Sequence, residues 1–129
     1  MNKEFLYHGS SCLVDILVPH KATGVGSSDD QQMAIYATSN RDFALLFSIP
    51  LKENAEGNYA WEISSVDNKL KMKLLAGKFD DTGKAYLYIV PKEKFIKIDE
   101  WQYVCYEAIE PLSYEEIDIK KLKELIINE

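Results

Sequence analysis

The four prolines of this chain each follow an apolar run, and this spacing limits the fold more than any other feature of the sequence. Proline fixes φ and lacks a backbone N–H, so a helix or a central strand ends close to it. The apolar runs are therefore short, and none approaches the roughly 20 residues that a membrane-spanning helix requires. Short strand-like runs, with one or two helices and no regular strand–helix alternation, predict an α+β fold with a mainly antiparallel sheet. The prolines are Pro19, Pro50, Pro91 and Pro111.

The runs themselves predict where strands and helices lie. Strands are predicted at residues 5–8, 33–38, 69–74, 85–90 and 103–109. In the third of these, lysines alternate with apolar residues, which is the period of a strand with one solvated face. Ser39 or Asn40 is expected to cap a helix that continues to about Ile49.

Three other segments are less regular. Residues 13–18 predict a short helical or irregular stretch, and the polar residues 20–31 predict a surface loop of a length that is often functional. Alternation through Ile119 predicts a short strand followed by an amphipathic helix that uses Leu122, Leu125 and Ile126. The spacing of residues 113 and 116 also fits a capping box.

Composition is typical of one soluble globular domain. The 129 residues are 47% apolar and 28% charged, enough to form a core without metal or disulfide support. Two cysteines, Cys12 and Cys105, are too few for a disulfide framework and fit a reducing compartment, although a single bridge between them stays open. The N-terminal residues contain no apolar leader, so we expect a cytoplasmic protein.

Several functions are disfavoured by charge and by motif. A net charge of −6 argues against sequence-blind nucleic-acid binding, which needs a basic surface to neutralise phosphates. The sequence has no phosphate-binding loop of the G-x-x-x-x-G-K-[ST] type, no G-x-S-x-G elbow and no cysteine pair at zinc spacing. His8 and Cys12 are separated by a Gly-Ser-Ser turn, which disfavours a metal site and a nucleophilic dyad. We therefore expect no metal and no membrane partner.

Three segments share a spacing that points to a binding site. They are Tyr-His-Gly-Ser at residues 7–10, Ile-Tyr-Ala-Thr at 35–38 and Gln-Tyr-Val-Cys-Tyr-Glu at 102–107. This pattern resembles the ADP-ribosyltransferase superfamily, on the H-Y-E side that includes the poly(ADP-ribose) polymerases and diphtheria-like toxins. The resemblance covers roughly residues 5–118. It implies one domain over residues 1–129, a split and mainly antiparallel sheet with one or two flanking helices, and NAD as substrate or ligand.

The resemblance also implies roles for individual residues. His8 would hydrogen-bond the adenosine ribose of NAD, and the Gly9 backbone would pair with the nicotinamide carboxamide, with Ser10 completing the motif. Tyr36 would stack on the nicotinamide ring, and Phe47 would cover its second face. Aromatic faces hold a planar cation well, so these roles are physically sensible.

The third motif departs from the family at the catalytic position. Gln102 stands where the resemblance places a glutamate. An amide can hydrogen-bond a ribose hydroxyl, but it brings no negative charge to an oxocarbenium-like transition state, an effect commonly worth several kcal/mol. Glu100 lies two residues earlier and takes the catalytic position if the alignment with the family strand is shifted by two residues. Ala44 stands where the polymerases carry a serine for the carboxamide.

Three functions remain open from the sequence. The first is an NAD-dependent ADP-ribosyltransferase or NAD glycohydrolase that passes ADP-ribose to protein, nucleic acid or water. The second is a non-catalytic module that binds NAD or ADP-ribose. The third is a small interaction domain whose exposed aromatic side chains meet a protein partner. Taken singly, His8 also fits a structural histidine, and Tyr36 and Phe47 fit core aromatics. A carboxylate facing a cleft opposite Tyr36 would favour the first of these functions.

Overall fold

The computed structural model describes residues 4–19, 34–57 and 59–127. Its helices are α1 (Arg41–Ser48) and α2 (Ile119–Lys123), with a 3₁₀ turn at Lys92–Lys94. Its strands are β1 (Phe5–Ser10), β2 (Ile35–Ala37), β3 (Leu51–Lys52), β4 (Ala60–Val66), β5 (Lys69–Ala76), β6 (Lys78–Phe79), β7 (Ala85–Pro91), β8 (Ile96–Lys97), β9 (Tyr103–Cys105), β10 (Ser113–Ile117) and β11 (Ile126–Ile127).

Two three-stranded antiparallel sheets form the centre of the molecule. One has the order β1-β7-β10 and the other the order β2-β9-β8. They meet where the backbones of Tyr7 and Thr38 exchange two hydrogen bonds, of 2.7 and 2.9 Å. Among the described strands only β11 and β5 pair in parallel. The structure is mainly β and antiparallel with few helices, which confirms the antiparallel sheet and is compatible with the predicted α+β class.

A first hydrophobic cluster fills the space between these two sheets. Leu6 and Tyr88 contribute from one sheet, and Ile35 and Tyr103 from the other. Leu17 and Ile109, from two loops, join the same cluster, and their backbones pair with each other. Because side chains alternate along a strand, Leu6 and His8 lie on this face of β1, and Tyr7 and Gly9 lie on the opposite face. The two central sheets thus share one interior.

Helix α1 packs against the opposite face of β1. Asn40 caps the helix, as predicted, because its Oδ1 accepts a hydrogen bond from the Phe43 backbone N–H at 3.1 Å. Gly9 makes the close approach possible. A Cβ added there would overlap the Ala44 carbonyl oxygen and lie 2.9 Å from the Ser48 backbone nitrogen.

A second cluster lies between α1 and a third sheet of order β11-β5-β4. Its fully buried side chains include Leu46 and Met72. Strand β5 was predicted, but its hairpin partner β4 was not. The sequence signal for the hairpin is the pair Asp67 and Asn68, which adopt φ of 53° and 65° in the tight turn.

Several predicted boundaries change. The strand predicted at 103–109 ends at Cys105, because β2 offers three paired positions and the chain then turns so that Ile109 pairs with Leu17. The strand predicted at 33–38 is β2 followed by the Thr38 bridge. Residues 13–18 are irregular, and the loop predicted at 20–31 lies outside the described residues.

The C-terminal helix begins and ends earlier than predicted. Asp118 caps α2, and its carboxylate accepts from the Lys120 backbone N–H at 2.9 Å. Leu122 is buried in the second cluster, as the amphipathic pattern requires. Leu125 follows the helix, and Ile126 belongs to β11. In the part of the chain that the structure describes, no helix has the length and apolar character needed to cross a membrane.

Candidate functional site

The three sequence segments with family-like spacing meet at the junction of the two central sheets. Tyr7 of β1 pairs with Thr38, and Ala37 of β2 pairs with Tyr103 of β9. Gln102 directly precedes the paired residue Tyr103. The three segments are therefore neighbours at the junction, although they are far apart in the sequence.

His8 is anchored to this junction by its ring. The side chain is 7% exposed, and its Nδ1 lies 2.5 Å from the Tyr36 carbonyl oxygen. A carbonyl only accepts hydrogen bonds, so Nδ1 is the donor in this contact. The His8 ring also lies against Tyr88, with 6.1 Å between ring centroids. The structure thus fixes the orientation of the His8 ring.

Tyr36 meets His8 through its backbone. Its strand neighbours Ile35 and Ala37 are buried in the first cluster, so the half-buried Tyr36 side chain projects from the opposite face of β2. The strands carrying His8 and Tyr36 lie together, as the spacing predicted, but their side chains lie on opposite faces, because His8 faces the first cluster with Ile35 and Ala37 while Tyr36 faces away from it. Stacking of the Tyr36 ring on a ligand stays a prediction.

Gly9 and Ser10 have structural contacts of their own. Gly9 faces α1, where any side chain would collide with the helix backbone. The Ser10 Oγ accepts a hydrogen bond from the Cys12 backbone N–H at 3.1 Å and so shapes the turn that leaves β1. Both residues hold the chain in place beside His8, whether or not they also contact a ligand.

Phe47 packs inside the molecule. Its ring lies 5.3 Å from the Phe43 ring and 5.0 Å from the buried Trp61 ring, measured between centroids, and it packs against the second cluster. These contacts agree with the core interpretation of Phe47. Ala44, one turn earlier on α1, is buried in the same cluster.

Asp99 controls the turn that leads into β9, and the sequence analysis did not single it out. Its Oδ1 accepts hydrogen bonds from the backbone N–H groups of Trp101 at 2.8 Å and Gln102 at 2.7 Å. Its Oδ2 accepts from the Gln102 side-chain Nε2 at 3.2 Å. An aspartate that opens a turn and bonds the backbone N–H groups two and three residues ahead is a recognisable signal. The carboxylate nearest to the predicted catalytic position is therefore Asp99, and it holds the turn.

The same turn presents Glu100 and Trp101 at the surface. Glu100 is exposed at the tip. The Trp101 ring stacks on Phe43 of α1, with centroids 5.4 Å apart and planes 30° apart, while 41% of the residue stays exposed. Trp101 thus ties the turn to α1 next to Gln102, a contact that the sequence analysis also missed.

A surface groove of about 820 Å³ lies near this region but is not built from the predicted site residues. Its lining residues are Glu4, Pro91, Lys92, Glu93, Phe95, Lys97, Tyr103 and Leu112. Lys92 forms an ion pair with Glu4 at 3.1 Å, which raises the pKa of the lysine, and its Nζ lies 5.6 Å from the centre of the Tyr103 ring. Within the described ranges, no group of three potential ligands is arranged to hold a metal ion.

No family model, curated protein or solved structure matches the chain.

Proposed function

We propose that this chain binds NAD at the junction of its two central sheets and is an ADP-ribosyltransferase-like protein. The observation that carries the proposal is that residues 7–10, 35–38 and 103–105, which belong to the three motifs, lie in neighbouring strands at one place. These segments are distant in the sequence, and the family resemblance predicts that they lie together around one ligand. The arrangement of two three-stranded sheets that share a single backbone bridge further supports the split sheet that the resemblance implies.

In the proposed enzyme, the residues at the junction divide the work. His8, held through Nδ1 by the Tyr36 carbonyl, would contact the adenosine ribose from the face opposite the Tyr36 side chain, so one NAD molecule must extend past the strand edge to reach both residues. Tyr36 supplies an aromatic face for the nicotinamide ring. Cleavage of the nicotinamide–ribose bond places positive charge on the ribose, and a carboxylate nearby would stabilise it. ADP-ribose then passes to protein, nucleic acid or water.

Of the acidic and amide residues in the turn before β9, Glu100 is the one that would supply this negative charge. Gln102 is neutral, and Asp99 already accepts three hydrogen bonds within the turn. Glu100 is exposed on the same turn. A catalytic function therefore requires that Glu100 reach the ligand from the tip of the turn.

One observation favours a second candidate function, a non-catalytic module that binds NAD or ADP-ribose. The Gln102 side-chain amide donates to the Asp99 carboxylate, so the predicted catalytic position is tied into a structural turn. A neutral side chain held in this way can still position a ribose hydroxyl, but it cannot offer the missing charge.

A nicotinamide-release assay separates the two functions. If Glu100 provides the charge, wild type releases nicotinamide from NAD, Glu100→Gln abolishes release, and Gln102→Glu changes little. If the chain is a binding module, wild type releases nicotinamide slowly or not at all, and Gln102→Glu should raise the rate by a factor of about 10² to 10³. Glu93→Gln, also an exposed glutamate, serves as the matched control.

Binding is followed in the same samples through Trp101. Trp61 is buried, so a change in tryptophan emission on addition of NAD reports mainly on the partly exposed Trp101 beside Gln102. Trp101→Phe should remove most of that change. Absence of both nicotinamide release and NAD binding would contradict the proposed function in either form and would favour a protein-interaction domain.

A further inference from the structure

The edge strand β10 and the surface beside it are rich in exposed apolar side chains. In the described sheet β1-β7-β10, β7 is the neighbour of β10, and four of the five β10 residues are exposed. Leu112 is 55% exposed and Tyr114 is 54% exposed. Large apolar side chains grouped at an accessible strand edge are typical of interaction sites rather than of a solvated surface.

The irregular segment after β1 extends this apolar surface. The Tyr88 hydroxyl donates to the Cys12 carbonyl at 2.7 Å and accepts from the Val14 N–H at 2.9 Å, so it fixes the segment beside β7. The Tyr88 ring also faces Tyr114, with 6.0 Å between centroids. The segment therefore lies next to β10. Its exposed apolar side chains are Leu13, Val14, Ile16 and Val18.

The chain around β10 is strongly acidic. Residues 106–119, which lead into β10 and include it, contain five aspartates and glutamates and no lysine or arginine. Ion pairs with Arg41 at 3.0 Å and Lys84 at 4.0 Å partly balance Glu115 and Glu116. Glu107 and Glu110 are exposed as well. The apolar surface is thus bordered by negative charge.

We propose that β10 and the 13–18 segment form the docking surface for a basic, apolar segment of a partner protein, which adds to β10 as a further strand. Charge complementarity selects this occupant. A second copy of the chain would bring the same acidic border against itself, and an anionic membrane would be repelled. Strand addition uses the backbone edge of β10 for affinity, and the alternating side chains select a segment with lysine or arginine next to apolar residues.

The test is an NMR titration of the isotope-labelled protein with a nonapeptide of alternating lysine and valine. The amide signals of residues 13–18 and 112–117 should shift in a saturable way, and binding should weaken as salt is raised. A peptide with glutamate in place of lysine should not bind. Tyr114→Ser should weaken binding about tenfold or more, as expected for an aromatic anchor.

Matched variants separate docking from folding. Leu75→Ser removes a similarly exposed apolar side chain from β5 and should leave peptide binding unchanged. Glu107→Gln combined with Glu110→Gln removes only exposed charge and should weaken binding and reduce its salt dependence. Equal binding of both peptides, shifts located elsewhere, or no binding would overturn the proposal. So would a dimer in sedimentation that Tyr114→Ser dissociates.

Discussion

At the scale of single residues, Tyr88 organises the chain around His8. Its ring lies between the His8 and Tyr114 rings, and its hydroxyl makes two hydrogen bonds to the backbone of residues 12 and 14. Burial raises the pKa of this phenol above its ordinary value of about 10. The folded protein therefore holds Tyr88 in its neutral, hydrogen-donating form.

This raised pKa predicts a loss of stability in alkali. A group whose pKa is higher in the folded state contributes its full stabilisation below the unfolded pKa, and that contribution is lost as pH rises through the folded pKa. Tyr88→Phe removes two hydrogen bonds and should lower the free energy of unfolding by about 1–3 kcal/mol at pH 7. The difference from wild type should shrink above about pH 10. Urea unfolding between pH 7 and pH 11 measures this, and a difference that is constant across that range would contradict it.

Gly9 shows what sequence reasoning at this scale cannot separate. A glycine after a histidine at a strand end predicts close approach of something to the backbone, and the resemblance supplied a ligand for that role. The structure places the α1 backbone there. Both explanations require the same residue, so the sequence could predict the close approach but not its partner, which depends on contacts between distant segments.

At the scale of elements, the turn before β9 is held by contacts that can be assigned to individual residues. Asp99 fixes the backbone of Trp101 and Gln102, and Trp101 stacks on Phe43 of α1. The turn is therefore held by hydrogen bonds within it and by ring stacking against α1. Its geometry decides where Glu100 and Gln102 point.

Substitutions of Asp99 should separate the backbone role from the contact to Gln102. Asp99→Ala removes all three acceptor contacts and should loosen the turn at a cost of about 1 kcal/mol in the free energy of unfolding. Asp99→Asn keeps an oxygen for the two backbone donors and loses the second acceptor oxygen, so stability should stay close to wild type. Trp101 emission, with denaturant unfolding, measures both. Equal effects of the two substitutions would contradict this account of the turn.

The sequence could predict some elements well and others not at all. Asn40 was a visible helix cap, and alternation identified β5. Strand β4 was missed although Asp67 and Asn68 mark its hairpin turn, because the polar residues Glu62, Ser64 and Ser65 interrupt its apolar pattern. Strand β9 was predicted too long, since its length depends on the three residues that β2 offers as partners.

At the scale of the whole molecule, the account depends on the junction of the two central sheets. Periodicity and proline spacing could predict the α+β class, but pairing of residue 7 with 38 and of 37 with 103 is a long-range property that no local pattern contains. Only the family resemblance gave a reason to expect these segments together. The predicted roles of His8, Tyr36 and Gln102 as ligand contacts rest on that same resemblance.

Calorimetric titration of NAD into wild type, Tyr36→Phe and Tyr36→Ala tests the central claim most directly. Tyr36→Phe keeps the aromatic face and should bind NAD like wild type. Tyr36→Ala should lose stacking worth about 1–3 kcal/mol, which is a roughly 5- to 150-fold weaker affinity. Tyr106→Ala removes an exposed tyrosine beyond the other end of β9 and should bind normally. Equal affinities for wild type and Tyr36→Ala, or no binding of NAD by wild type, would contradict the account.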